Sequence, residues 1–201
     1  LRRVKTRITY FLEDRAQEAF IRALVARIAR EEGREVASDV RSARGGSQVL
    51  AQLKRFAGSV AKSASAGPAF DILVVAIDGN CHTRAKRVRE IMGVMRGTGL
   101  ESQTVCCVPD PHIERWYCLD EGALRRAVPC DIRVRAPEYK CDKAFYKKLL
   151  GDALAPVRSL MGGAEYGEAI VAEMDLDVAT NRTRRPSGLP EFVDDMRRHL
   201  R

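Results

Sequence analysis

Two acidic residues follow the apolar stretches that look most like β-strands, and their side chains are suited to binding a metal ion. Glu13 follows residues 4–12, and Asp78 follows residues 70–77. In an open α/β sheet, ligands bind in the crevice at the carboxyl ends of neighbouring central strands. If these two strands are neighbours, their oxygen ligands suit Mg²⁺ or Mn²⁺, which bind phosphates and activate water. The alternative is that Glu13 and Asp78 only favour helix N-termini, through capping and the helix dipole.

The segment after the fourth apolar stretch contains further candidates, each with a structural alternative. Glu114 and Asp110 could complete the metal site. Asp110, between two prolines, also suits a turn, and Glu114 also suits an ion pair with Arg115. His112 is a candidate general base or a structural histidine, and Trp116 is a core residue or a base-stacking platform.

The charge balance favours a polyanionic partner. Lysine and arginine outnumber aspartate and glutamate by 35 to 27, which gives a formal net charge of +8. Such a surplus is typical of proteins that bind DNA or RNA, although many basic proteins bind neither. The candidate contacts to phosphate groups are Arg41, Arg44, His82, Lys140 and Lys143. Basic stretches such as these also fit a solvated surface with no bound nucleic acid.

The elements that position these residues alternate between strand and helix patterns. Strand patterns cover residues 4–12, 35–42, 70–77 and 101–108, and helix patterns separate them. This alternation predicts an α/β fold, a Rossmann-like and mainly parallel sheet flanked by helices. The apolar run from Ile72 to Ile77 predicts that the third strand is central. After residue 129 the pattern becomes mostly helical, with predicted helices at 142–154, 164–174 and 189–200.

Several classes of protein are disfavoured by the sequence. The longest apolar run, Ile72 to Ile77, is far too short to cross a bilayer, and we expect a soluble, cytoplasmic protein. The turn after the first strand has no glycine, and there is no Walker lysine motif, which disfavours a dinucleotide site. The six cysteines form no C-x-x-C pair, so reduced thiols are expected. The alternative is a zinc site formed by Cys118, Cys130, Cys141 and a histidine.

Three segments of the chain resemble the Toprim fold shared by topoisomerases, primases and OLD-type nucleases. The first two are Tyr10-Phe11-Leu12-Glu13-Asp14-Arg15 and Val75-Ala76-Ile77-Asp78-Gly79-Asn80, which resemble the glutamate and the D-x-D blocks of that fold. The third, residues 108–117, contains Glu114-Arg115-Trp116 and is similar to the E-x-W segment of small stand-alone bacterial Toprim-like proteins, several of which occur in phage-defence operons. The resemblance implies a Toprim-like α/β domain at residues 1–128. The mostly helical pattern after it predicts a helical C-terminal extension at 129–201 that packs on this domain.

The resemblance also implies a function. It predicts a nuclease or nuclease-like component that depends on Mg²⁺ or Mn²⁺ and acts on DNA or RNA. Its possible protein partners are an ATPase, another operon-encoded protein or a second copy of the same chain. Its predicted metal ligands are Glu13, Asp78 and Asn80, and Glu114 joins them as a catalytic candidate. Asn80 replaces the second acid of the D-x-D pair, and Gln17 stands where another acid is expected. The alternative is therefore a catalytically degenerate module that binds a partner protein.

Overall fold

A computed structural model of the chain describes residues 5–14, 17–43, 48–63, 69–128, 139–142, 144–157, 159, 161–181 and 186–201. The strands are β1 (Thr6–Leu12), β2 (Val36–Ser42), β3 (Ile72–Ala76) and β4 (Thr104–Cys107). The helices are α1 (Glu18–Glu31), α2 (Val49–Lys62), α3 (Arg84–Met95), α4 (Ile113–Tyr117), α5 (Glu121–Ala127), α6 (Phe145–Leu154), α7 (Gly167–Glu173), α8 (Leu176–Ala179) and α9 (Leu189–Leu200).

The four strands form one parallel sheet in the order β2-β1-β3-β4. The predicted α/β class is therefore confirmed, and the third strand is interior, as expected. Leu12 pairs with Ala76, so β1 and β3 end at the same level of the sheet. Because parallel strands need a crossover connection, each pair of successive strands is separated by a helix.

The two faces of the sheet bury separate cores because side chains alternate along a strand. Tyr10 and Val74 face a core that also contains Phe20 of α1 and Phe192 of α9. Alternate residues of the same strands, together with α2 and α3, form the second core, whose members include Phe11, Leu73, Val75, Leu53 and Ile91. The C-terminal helices thus share a core with the sheet, and α7 and α9 pack against α1.

Trp116 is a core residue rather than an exposed base-stacking platform. Its side chain is fully buried and stacks on Phe192, with the ring centroids 5.9 Å apart. Its indole Nε1 donates a hydrogen bond to the backbone oxygen of Ser187 at 2.6 Å. A buried indole requires such a partner, and this one ties α4 to the turn that precedes α9.

The cysteines differ in part from expectation. Cys81 and Cys141 form a disulfide, which corrects the expectation of reduced thiols for this pair. Their Cα atoms lie 5.4 Å apart, within the range that a disulfide spans. This bond removes Cys141 from the suggested zinc set, and Cys130 lies outside the described residues. The other described cysteines, Cys106, Cys107 and Cys118, are free and buried.

No helix among the described residues is both long enough and apolar enough to span a lipid bilayer.

Candidate functional site

The crevice at the carboxyl ends of β1 and β3 is the switch point of the sheet. The chain leaves β1 toward β2 on one side and leaves β3 toward β4 on the other. Ligands of open α/β sheets bind where the strand order reverses in this way. Glu13 directly follows β1 and Asp78 lies two residues beyond β3, so both stand at this crevice.

Glu13 and Asp78 are directly linked. The backbone N–H of Asp78 donates a hydrogen bond to Oε2 of Glu13 at 2.9 Å. The backbone N–H of Glu13 in turn donates to the carbonyl oxygen of Ala76 at 3.0 Å, which extends the pairing of β1 with β3 by one residue. Burial raises the pKa of Glu13, the hydrogen bond from Asp78 opposes this shift, and the charges of Asp78 and Asp14 add to it.

The carboxylate of Asp78 is buried and accepts hydrogen bonds on both oxygens. Oδ1 accepts from Nε2 of Gln17 at 2.9 Å, and Oδ2 lies 3.3 Å from Nδ1 of His112. Burial raises the pKa of Asp78, whereas the hydrogen bond with His112 lowers it and the charge of Glu114 raises it further. The structure thus gathers acidic groups whose ionised forms are disfavoured by burial and by one another.

Arg87 fixes the backbone next to Asp78. Its Nε donates to the carbonyl oxygen of Asp78 at 3.2 Å, and its NH1 group pairs with Glu90 at 2.8 Å. Arg87 is accordingly buried in α3 together with the apolar residues Ile91 and Met95.

Backbone hydrogen bonds join the loop after β3 to the loop after β4. Gly79 donates to the oxygen of Pro109 at 2.8 Å, and Asn80 donates to the oxygen of Pro111 at 2.9 Å. A Cβ atom at Gly79 would lie 3.2 Å from that same Pro109 oxygen, so the close approach favours glycine. Asn80 has a φ of 48°, and its side-chain Nδ2 donates back to the oxygen of Asp78 at 3.3 Å.

The loop after β4 brings two more carboxylates to this end of the sheet. Asp110 accepts a hydrogen bond from the hydroxyl of Tyr139 at 2.9 Å, and burial raises the pKa of Asp110. Glu114 is buried, and its Oε1 lies 3.7 Å from Nζ of Lys147. Its other oxygen, Oε2, is buried without a hydrogen-bond partner among the described residues.

His112 has one ring nitrogen engaged and one free. Nδ1 faces Asp78, whereas Nε2 is buried and finds no hydrogen-bond partner in the described part of the chain. The hydrogen bond with Asp78 raises the pKa of His112 and burial opposes this shift. When Nδ1 carries a proton toward Asp78, the neutral ring presents Nε2 as a proton acceptor.

The predicted residues fall into two groups. Glu13, Asp78 and Asn80 lie in the loops that follow β1 and β3, and Glu114 lies in α4, directly after the loop that follows β4. Of the described basic candidates, His82 also lies in the loop after β3 but is exposed, with its Nδ1 atom 3.4 Å from Nζ of Lys86. Nζ of Lys140 lies over the ring of Phe145.

Arg41 lies away from the acidic crevice. It pairs with Asp39 at 3.0 Å and lines a cavity of about 450 Å³ with Phe56 and Phe70, on the side of the sheet covered by α2. Arg44 and Lys143 lie outside the described residues.

The donor atoms of the crevice fit a hard divalent cation in chemical type. Carboxylate oxygens are the ligands that Mg²⁺ and Mn²⁺ prefer, and the buried, unpartnered Oε2 of Glu114 is one of them. Asp78, by contrast, already uses both oxygens within the protein. Among the described residues, no group of three or more His, Cys, Asp or Glu side chains converges in a metal-binding arrangement.

Sequence reasoning missed the role of Gln17. It is fully buried, and its side chain bridges the two central loops, because Oε1 accepts from the backbone N–H of Glu13 at 3.2 Å while Nε2 donates to Asp78. Its position four residues after Glu13 was the available signal, but an isolated glutamine carries no chemical signature.

Comparisons with protein-family models, with curated proteins and with solved structures gave no match.

Proposed function

We propose that the protein is a metal-dependent nuclease, or a nuclease-like component, that acts on DNA or RNA at the crevice between β1 and β3. The observation that carries this proposal is the direct link between Glu13 and Asp78 at the ends of adjacent strands. Burial disfavours ionisation of both carboxyl groups, and a divalent cation would relieve this cost. The resemblance to Toprim-like proteins of phage defence implies the same reaction class and the same ion.

The residues have distinct roles in this proposal. Glu13, Asp78 and Glu114 would hold Mg²⁺ or Mn²⁺, and Asn80 would offer a neutral oxygen. The bound ion would polarise the scissile phosphate and lower the pKa of a bound water. His112, oriented by Asp78 through Nδ1, would accept or donate a proton at Nε2.

The test is a cleavage assay with a charge-only variant. Glu13→Gln keeps the shape of the side chain and can still accept the hydrogen bond from Asp78, but it removes the negative charge. We expect the wild-type protein to cleave single- or double-stranded DNA or RNA with Mn²⁺, and Glu13→Gln to lose at least about 99% of that rate.

Glu18→Gln is the matched control for this assay. Glu18 lies in the first turn of α1 and pairs with Arg22 rather than with the crevice. This variant should cleave at the wild-type rate, and circular dichroism should show that both variants are folded. Undiminished cleavage by a folded Glu13→Gln variant would contradict the proposal.

The second candidate function is a catalytically degenerate module that binds a partner protein. The observation that favours it is that both oxygens of Asp78 accept hydrogen bonds from Gln17 and His112, which competes with metal binding. In that case the wild-type protein should not cleave any of the four nucleic-acid substrates, alone or with proteins encoded next to it. Glu13→Gln should then leave its biological activity unchanged.

A further inference from the structure

Helices α2 and α3 form an exposed basic face that the crevice does not use. The two helices contact each other, and their inward residues share the core on one side of the sheet. Together they contain seven basic residues and a single acid, Glu90. That acid pairs with the buried Arg87, so it does not neutralise the exposed cations.

The exposed cations of this face follow the helical repeat. On α3, Lys86 and Arg89 lie on the outward side, and Arg96 continues their row just beyond the end of the helix. On α2, Lys54 and Lys62 are eight residues apart on one side. Arg55 of α2 is also exposed. None of the exposed cations of this face forms an ion pair with a carboxylate of the described residues; these cations are Lys54, Arg55, Lys62, Lys86, Arg89 and Arg96.

A glycine interrupts each row of cations. Gly58 lies midway between Lys54 and Lys62, and Gly93 lies between Arg89 and Arg96. Glycine is among the least favourable residues for a helix interior, so its presence calls for a reason. A Cβ atom at either glycine would meet no atom of the protein within 4 Å, so internal packing does not supply that reason. Gly93 is exposed and Gly58 is half-buried. A glycine at the surface of a helix allows another molecule to approach the helix backbone closely.

We propose that this α2–α3 face binds the sugar-phosphate backbone of a nucleic acid. With a rise of 1.5 Å per residue, the rows extend over about 12 Å and about 15 Å, roughly the length of four phosphates of one strand. The two glycines admit the backbone between the cations. The α3 row begins at Lys86, a few residues after Asp78 and Asn80, so a bound strand continues toward the crevice.

An anionic membrane fits this face less well than a nucleic acid. Helices that bind at a membrane interface present large apolar side chains beside their cations. In the described part of the chain, the exposed large hydrophobic residues are Met161 and Val178, and neither is on α2 or α3. The α2–α3 face therefore has cations and an accessible helix backbone, but it has no large apolar side chains that could insert into a bilayer.

Binding of nucleic acid to this face is measured in EDTA, which removes the metal ion that the proposed cleavage requires. The binding test is therefore independent of the proposed nuclease activity. The probe is a fluorescein-labelled DNA duplex of about 24 base pairs, and anisotropy gives the affinity over a series of salt concentrations. Replacing Lys86, Arg89 and Arg96 with glutamine should weaken binding at least about tenfold and reduce the slope of log K against log salt by about 2 to 3. The Glu18→Gln variant should bind as the wild type does. Because binding is measured in EDTA and cleavage with Mn²⁺, loss of binding and loss of cleavage are distinguishable.

The control for charge removes three exposed cations elsewhere, Arg30, Arg125 and Lys148, by the same substitution. A second comparison tests whether the glycines allow the nucleic acid to approach the helix backbone. It compares Gly58→Gln and Gly93→Gln with Gly151→Gln. Gly151 lies in the middle of α6 and also has open space around it. We expect the first two glycine variants to fold and to weaken binding severalfold, and Gly151→Gln to bind normally. Equal affinity losses in the two charge variants, or binding of wild type to phosphatidylserine vesicles but not to the duplex, would overturn the proposal.

Discussion

The backbone N–H of Asp78 donates a hydrogen bond to Oε2 of Glu13, and this bond joins the carboxyl ends of two adjacent parallel strands. Neither carboxylate is held by an arginine or lysine in the described part of the chain. Gln17 and His112 hold Asp78 instead, so the two acids remain close and incompletely neutralised. This arrangement opposes folding when both acids are ionised, and it is the arrangement that a divalent cation would stabilise.

Glu13→Gln should stabilise the protein in EDTA at neutral pH. The pKa of Glu13 is raised above its ordinary value of 4.5, chiefly by burial, so its ionised form opposes folding. This cost is present above the folded-state pKa and disappears as the pH falls below 4.5. We expect the melting temperature of the variant to exceed that of wild type by a few degrees at pH 7 and by nothing at pH 4. A gain of the same size at both pH values would show that the charge is not the cause.

Gln17→Glu should make metal-free folding less favourable and metal binding tighter. The substitution removes the amide donor to Asp78 and adds a further carboxylate to a buried cluster, at a cost of about 2 kcal/mol or more. Mn²⁺ should restore much of the folding stability that Gln17→Glu loses in EDTA. Gln17→Met is the control, because it also loses the hydrogen bond to Asp78 but adds no charge, so it should gain no extra stability from Mn²⁺. Thermal unfolding with and without Mn²⁺ measures both effects, and a Gln17→Glu variant as stable as wild type in EDTA would refute the prediction.

Gly188→Ala should destabilise the protein far more than Gly33→Ala. Both glycines have positive φ, 80° and 68°, and alanine pays about 1 to 2 kcal/mol there. At Gly33 the added methyl group meets open space, whereas at Gly188 it would overlap the backbone oxygen of Val108. We therefore expect a loss of about 1 kcal/mol for Gly33→Ala and more than about 3 kcal/mol for Gly188→Ala. Denaturant unfolding monitored by Trp116 fluorescence measures both, and similar losses would contradict the prediction.

The central strands could be predicted because β1 has apolar residues at alternate positions and β3 is a short apolar run bounded by turn residues. The predicted strand at 70–77 contains β3, and the predicted helix at 189–200 matches α9 at both ends. Helix α4 was missed because it spans only five residues after a proline-rich segment, and all five are buried by tertiary packing. Such a helix has no exposed face and hence no periodic pattern.

The candidate site could be predicted only in part. The proximity of Glu13 to Asp78 follows from parallel pairing of their strands, which the alternation of elements indicates. The contacts of Gln17 and His112 with Asp78 depend on how α1 and the loop after β4 pack, and no local pattern encodes them. The disulfide between Cys81 and Cys141 spans 60 residues and is likewise a product of tertiary structure.

We propose that the carboxylates at the ends of β1 and β3 form one cation site. Isothermal titration calorimetry with Mn²⁺ measures binding at this site in wild type, Asp78→Asn and the Glu18→Gln control. We predict that wild type and Glu18→Gln bind one Mn²⁺ with equal affinity and that folded Asp78→Asn binds it at least about tenfold more weakly. Equal Mn²⁺ affinity in all three proteins, or no detectable binding by wild type, would show that these carboxylates do not form a cation site.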